Sequence, residues 1–378
     1  MAHHLQPPRI IETSHISPPN GTVPSNTLSL TFFDAPWLTL PLGESLFFFP
    51  YQNLTDHFLK DFVPNLKHSL SLTLQHFFPY SGNLIIPPRP DPPYLRYTDG
   101  EDSLAFTVAE SVETDFDYLK TDSTKDITVL HDLLPKLPPP HVSLYWMSLT
   151  KSNGSDPATL MLPSPPIHTC RDVIKDPGEV AAGHLERFWS QNSGNHGSHD
   201  SPENMVRATF TMSRNQIDNL KHWVTEQSTN ESPVSTFVVT LAFNWVSLIK
   251  TLIEDNETEA KEEDKDEVFH LMINVDCRNR LKCTEPIPQT YFGNCMAPGI
   301  VSVNKQDLLG EKGVLVASNA IKARIKDMLS SDLLKTAPAW GEGARKWGNG
   351  VEIGLALEKE KMNAFASNLK QGINKFEM

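Results

Sequence analysis

The sequence predicts an α/β protein of two domains, with mixed sheets flanked by helices. Strand-length runs that alternate in polarity and helix-length runs with apolar residues at three- and four-residue steps are interspersed along the whole chain. With 378 residues, 39% of them hydrophobic, the chain exceeds what a single core usually organises. A polar, Gly/Ser-rich stretch without periodicity, residues 191–205, separates an N-terminal part, 1–190, from a C-terminal part, 206–378.

Residues 1–27 are Pro-rich and polar, and the first regular signal is the alternation of Leu28-Ser29-Leu30-Thr31-Phe32. Phe33-Asp34-Ala35-Pro36-Trp37 turns the chain, and Leu46 to Phe49 reads as a strand. From Asp56 to Phe78 the residues Phe58, Phe62, Leu66, Leu70, Leu74 and Phe77 form a helical stripe, with Pro64 starting or kinking its main part. Ser81-Gly82-Asn83 turns into a strand; further strands are expected at 94–97, 104–108 and 142–149, and short helices at 115–119 and 129–134. After the linker come a strand at 206–211 and a helix capped by Ser213, with Ile217, Leu220 and Val224 on one face. A wider apolar helix starts at Ser235-Thr236. The acidic run 254–267 reads as a solvated loop. Strands at 299–303 and 351–357 alternate with helices at 315–328 and around Met362, Phe365 and Leu369.

The formal net charge of −13 argues against nucleic acid or an anionic membrane as partner. No run of 18 consecutive apolar residues occurs, and residues 1–20 lack the basic start and apolar middle of a signal peptide. A cytoplasmic monomer is therefore expected, and Asn20, Asn53, Asn153, Asn230 and Asn256, each opening an Asn-x-Ser/Thr pattern, would stay unglycosylated. Cys170, Cys277, Cys283 and Cys295 show no metal-ligand spacing and read as free thiols, so no metal is expected. Cys295 is expected to be a small buried hydrophobe.

The stretch from Val268 to Cys295 carries the densest information. A mostly apolar run of strand length, read as a central strand, ends in Asp276, Arg278 and Arg280, charges that must pair or meet an anion. Pro286 and Pro288 stiffen the return, and Gly293-Asn294 tolerate a bend behind Tyr291-Phe292. Asp276-x-Arg278-x-Arg280 followed by Tyr291-Phe292-Gly293-Asn294-Cys295 resembles the plant BAHD acyltransferases, in particular the branch that malonylates anthocyanin, flavonoid and phenolic glucosides. Residues 30–37, 66–70, 76–79, 81–84, 173–177, 235–238 and 351–354 look like the same branch, in its order.

The resemblance implies a two-domain fold like chloramphenicol acetyltransferase, with an incomplete second domain. It implies acyl transfer, of malonyl above all, from an acyl-CoA co-substrate to a sugar hydroxyl of a phenolic or flavonoid glucoside, with no permanently bound cofactor. In the family a His of a His-x-x-x-Asp motif takes the hydroxyl proton and its Asp pairs with an Arg near the Asp-x-Arg-x-Arg turn; Arg278 or Arg280 would be that Arg, giving Asp276, Arg278 and Arg280 structural roles. Arg171 matches an Arg suited to the malonyl carboxylate, although a plain ion pair is an equal reading. Ser235 and Thr236 would help hold the CoA phosphates, with simple helix capping as the commoner role. Tyr291, Phe292, Gly293, Asn294 and Cys295 would shape the donor cleft.

His168 and Asp172 satisfy His-x-x-x-Asp literally, yet so do His57 with Asp61 and His196 with Asp200. Pro163, Pro165 and Pro166 precede His168 where the family has a hydrophobic strand, and Val173 follows where it has Gly. The segment from Arg171 onward matches a part of the family that follows the catalytic motif, so the expectation is that a block carrying the catalytic His is absent, with His168 as the base and Asp172 as its motif partner kept as the alternative. A second absent block is expected before Val351, where Trp340-Gly341 and Trp347-Gly348 stand without the family's Asp-Phe-Gly before them. A truncated, non-catalytic chain that at most binds CoA or a glucoside is the competing expectation. A hydrolase is remote, because no Gly-x-Ser-x-Gly elbow occurs.

Overall fold

A computed structural model describes residues 8–39, 46–49, 55–111, 116–119, 121, 124–133, 164–192, 204–228, 233–254, 267–281, 286–330, 337 and 356–376. The chain divides into two compact units: Met1–Leu119 with Leu130–Ser198 and Arg278–Cys295, and Lys120–Val129 with His199–Cys277 and Met296–Met378. One cut in the linker therefore does not separate them. The stretch 120–129 joins the second unit through a strand pairing, and 278–295 joins the first through backbone bonds to Ile167.

In the first unit, β1 (Arg9–Ile16) pairs antiparallel with β5 (Leu104–Glu110), with a register shift between Ile10 and Glu12. This strand lies in a stretch that sequence reasoning left irregular. Its burial pattern explains why: both Ile10 and Ile11 are exposed, so it has no buried face for alternation to reveal. A second sheet runs β2 (Asn26–Ser29), β4 (Tyr94–Tyr97), β3 (Asn83–Ile85), all antiparallel, over a core of Val23, Leu28, Phe78 and Tyr97. The helical stripe from Asp56 becomes a π-helical segment, Phe58–Phe62, that runs without a break into α1 (Val63–Leu74); Pro64, which has no N–H to give the preceding turn, stands where the π-helical segment passes into α1. Residues 46–49 form no strand; Phe47 and Phe49 are exposed and stack on each other. A helix that the sequence reading passed over, α2 (Val180–Asn192), starts where Asp176 accepts the amides of Val180 and Ala181.

In the second unit, β6 (Lys125–Asp126), β7 (Met205–Arg207) and β10 (Ala356–Glu358) form an antiparallel sheet in the order β10-β7-β6. Helix α3 (Arg214–Gln227) opens with the expected cap, now a full capping box between Ser213 and Gln216. Helix α4 (Thr236–Glu254) is long and apolar enough to cross a membrane by length and composition, but it is the core helix here, packed against α3, α5 (Gly313–Ser330) and α6 (Lys359–Asn374). Its buried Ser247 and Thr251 donate back to the Phe243 and Ser247 carbonyls, and Asn368 of α6 donates to Thr251. The strand read as central, β8 (Val268–Asp276), pairs among the described residues with β9 (Met296–Asn304) alone, and Val268 and Met272 are exposed. The strands expected at 142–149 and 351–355, the His196–Asp200 pair and both Trp-Gly pairs lie outside the described residues.

Candidate active site

The site residues of the first unit gather around a buried carboxylate that sequence reasoning did not single out. After β2, Thr31 to Asp34 close a turn into a short 3-10 helix, Ala35–Thr39: Asp34 Oδ2 accepts the Thr31 amide at 2.8 Å and the Thr31 hydroxyl at 2.9 Å, and the Asp34 amide donates to the Thr31 carbonyl at 2.9 Å. A buried carboxylate needs a cation, and Arg171 supplies it, its Nη1 donating to Asp34 Oδ2 at 2.7 Å and to the Ser29 carbonyl at 3.1 Å. Arg171 itself is buried, and its Nε has no partner. The signal that could have found Asp34 was a lone carboxylate set between Phe32-Phe33 and Ala35-Pro36, where an apolar setting demands a partner.

The stretch 286–295 is held to this carboxylate. Asn294 Nδ2 donates to Asp34 Oδ1 at 2.9 Å. Arg278 clamps the bend from behind, Nε on the Tyr291 carbonyl at 2.9 Å and Nη2 on the Gly293 carbonyl at 2.7 Å. Asn279 takes φ 60, a left-handed conformation that Asn tolerates, and its amide donates to the Ile287 carbonyl at 2.9 Å, closing the loop neck. Ile167 bridges Tyr291 in parallel: its amide donates to the Thr290 carbonyl and its carbonyl accepts the Phe292 amide, both at 2.9 Å. The Tyr291 ring folds back over Gly293, where the phenol fills the space a Cβ would need. That phenol is buried without a hydrogen-bond partner, and burial holds its pKa well above the ordinary tyrosine value.

His168 lies in the same cluster. Its Nε2–H donates to the His76 carbonyl at 2.9 Å, which fixes the neutral tautomer and leaves Nδ1 buried without a partner. The ring is wedged against Phe78 and Phe292, at centroid distances of 4.8 and 5.4 Å. Desolvation lowers its pKa first; the His76 bond opposes this and the Arg171 charge adds to it. Phe292 also meets Phe77 at 5.0 Å and Tyr80 at 5.3 Å, and burial pushes the Tyr80 phenol up to about 12. Asp172, at the far end of the literal motif, is exposed on the 3-10 helix Thr169–Val173.

Of the other expected residues, Cys295 is fully buried, like Cys277. Ser235 caps α4, its hydroxyl accepting the Val238 amide at 3.2 Å, and Thr236 is the first helical residue, the simple capping role. Asp276 ends β8 half-buried, and Arg280 is exposed. Ser235, Thr236 and Asp276 belong to the second unit; Arg171, Arg278, Arg280, Tyr291, Phe292, Gly293, Asn294 and Cys295 belong to the first. Among the described residues no group of three or more His, Cys, Asp or Glu could hold a metal.

Comparison with known proteins gives this geometry its context. The crystal structure of vinorine synthase superposes with a TM-score of 0.51 at 15% identity, covering 90% of this chain and 81% of that one. The fold is thus that of the two-domain acyltransferases built like chloramphenicol acetyltransferase. A Transferase family model matches residues 174–347. The chain is 64% identical to an Arabidopsis thaliana coumaroyl-CoA:anthocyanidin 3-O-glucoside-6''-O-coumaroyltransferase, with both chains fully covered. It is 33% identical to a malonyl-coenzyme A:anthocyanin 3-O-glucoside-6''-O-malonyltransferase of Dahlia pinnata, covering 90% of this chain and 82% of that one. The chain belongs to the BAHD acyltransferase family. The Arabidopsis alignment runs over 467 positions against the 378 residues here, so that relative carries internal stretches with no counterpart in this chain.

Proposed function

We propose that this chain transfers a hydroxycinnamoyl group from its CoA thioester to a sugar hydroxyl of an anthocyanin or related flavonoid glucoside, as a cytoplasmic monomer. The observation that carries the reading is the end-to-end 64% identity to a coumaroyl-CoA-dependent anthocyanidin glucoside acyltransferase. A malonyl donor, the expectation from the family resemblance, loses its residue-level support at Arg171. That guanidinium is buried, with Nη1 held by Asp34 and the Ser29 carbonyl, so a malonyl carboxylate would have to reach its remaining donors inside the buried cluster. An uncharged aromatic acyl group asks for no such cation.

Acyl transfer also needs a base for the hydroxyl proton, and His168 does not offer one, because its free lone pair is sealed. Without such a base the proton of the attacking hydroxyl leaves with the departing CoA thiolate, so that ester and free CoA thiol form in balance. That same sealed nitrogen, together with the 467-position alignment, favours a second reading, in which the chain holds acyl-CoA or glucoside without turning them over. Incubating the purified, folded chain with p-coumaroyl-CoA or malonyl-CoA and an anthocyanidin 3-glucoside, with mass-spectrometric detection and a parallel binding assay, separates the two. Coumaroylated product supports the first reading and binding without product the second; absence of both contradicts each.

A further inference from the structure

We infer that Asp34 is the positioning residue of the candidate site, setting the bend 290–295 against the segment 167–173 so that both present one ligand-facing arrangement. The inference rests on the proposed acyl-CoA reading for what the bend contacts, but its geometric half stands alone. The two oxygens of one buried carboxylate divide the work. Oδ2 gathers the Thr31 amide and hydroxyl and Arg171 Nη1, at 2.8, 2.9 and 2.7 Å, and Oδ1 takes Asn294 Nδ2 at 2.9 Å. Arg171 sits in the middle of the 3-10 helix that follows His168, and through the Ser29 carbonyl it also ties that helix to the end of β2. Asn294 is the last polar residue of the bend before buried Cys295. Asp34 is thus a shared acceptor for segments that lie 137 and 260 residues away along the chain.

The charge is what makes the junction work. Arg171 and Asn294 both present donors, and only an ionised carboxylate offers acceptors in both directions. In Asp34→Asn the remaining oxygen faces Arg171 without a charge, and the NH₂ group faces Asn294, whose side-chain amide must turn over to accept it. The shape is preserved and both ties are weakened, one by the lost charge and the other by the forced reorientation. Arg278 and Ile167 still hold the bend's backbone, so the expected effect is loss of register between the segments rather than loss of the loop.

The test compares hydrogen exchange and p-coumaroyl-CoA affinity in the wild-type chain, Asp34→Asn and the milder Asn294→Ala, which removes only one tie at a half-buried position. The inference expects faster exchange at 167–173 and 290–295 in Asp34→Asn, at 290–295 alone in Asn294→Ala, and unchanged exchange across β1 and β5. It also expects affinity to fall about tenfold in Asp34→Asn. Unchanged exchange in both segments overturns it, as does faster exchange confined to 29–34. Altered exchange with unaltered affinity overturns the ligand-facing half. If the wild-type chain binds no p-coumaroyl-CoA while exchange behaves as expected, the acyl-CoA reading fails and the positioning role stands. Should Asp34→Asn not fold, Asn294→Ala decides through exchange at 290–295.

Discussion

His168 commits one nitrogen to the His76 carbonyl and buries the other among aromatic rings, so a proton added on acidification would enter an apolar pocket beside Arg171. Its folded pKa lies below the ordinary 6.5, which means that the unfolded chain binds the proton first as pH falls. The stability it contributes is therefore complete above that ordinary value and is lost as pH drops through the folded one. His168→Gln keeps an N–H for the His76 carbonyl and removes the titration. Urea unfolding free energies measured between about pH 7 and pH 5 are predicted to fall less steeply in this variant than in the wild type. Gly82 is a residue of another kind: the Arg96 carbonyl occupies the space of an added Cβ, and backbone in a sheet cannot swing aside. Gly82→Ala is predicted to destabilise the first unit by about 1–3 kcal/mol, read from the shift of its urea midpoint. At this scale the sequence was legible where a motif was local, as at Tyr291 to Asn294. It was opaque where a partner lay far along the chain: nothing near Asp34 announces Arg171 or Asn294, and nothing near His168 announces His76.

Elements were legible in proportion to how clearly one face is buried. Helices α3 to α6 declare themselves through regular apolar spacing, and the faces read from it are buried at Leu220 and Val224 in α3 and at Met362, Phe365 and Leu369 in α6, whereas in α4 Leu241 and Trp245 are buried but Phe237, read on the same face, is exposed. Strand β1 escaped because Ile10 and Ile11 face solvent and, of its three isoleucines, Ile16 at its end is the buried one. Strand β8 was legible as a strand, and among the described residues it has the one neighbour β9, because apolar content reports burial and not the number of hydrogen-bonded neighbours. Phe365 concentrates the packing of α6, with no exposed surface and its ring edge-on to Phe210 at 5.3 Å. Phe365→Ala is predicted to cost about 3–5 kcal/mol, measured by urea unfolding with a probe in the second unit. Exchange protection in β2, β3 and β4 of the first unit should stay unchanged.

For the whole molecule, the α/β fold was legible from alternating element types, while the grouping of 120–129 with the second unit and of 278–295 with the first was not, since it depends on long-range backbone pairing. The chemical class was legible from one ordered set of motifs; the donor was not. Arg171, the residue that the resemblance offered for a malonyl carboxylate, is a buried ion-pair partner of Asp34. The measurement that tests this most directly is product formation by the folded chain from p-coumaroyl-CoA and malonyl-CoA, side by side, with an anthocyanidin 3-glucoside and a His168→Ala control. Coumaroylated glucoside, formed at a rate within about twofold in the control and without a malonylated counterpart, is the predicted result. Malonylated product, or turnover abolished by His168→Ala, would contradict it.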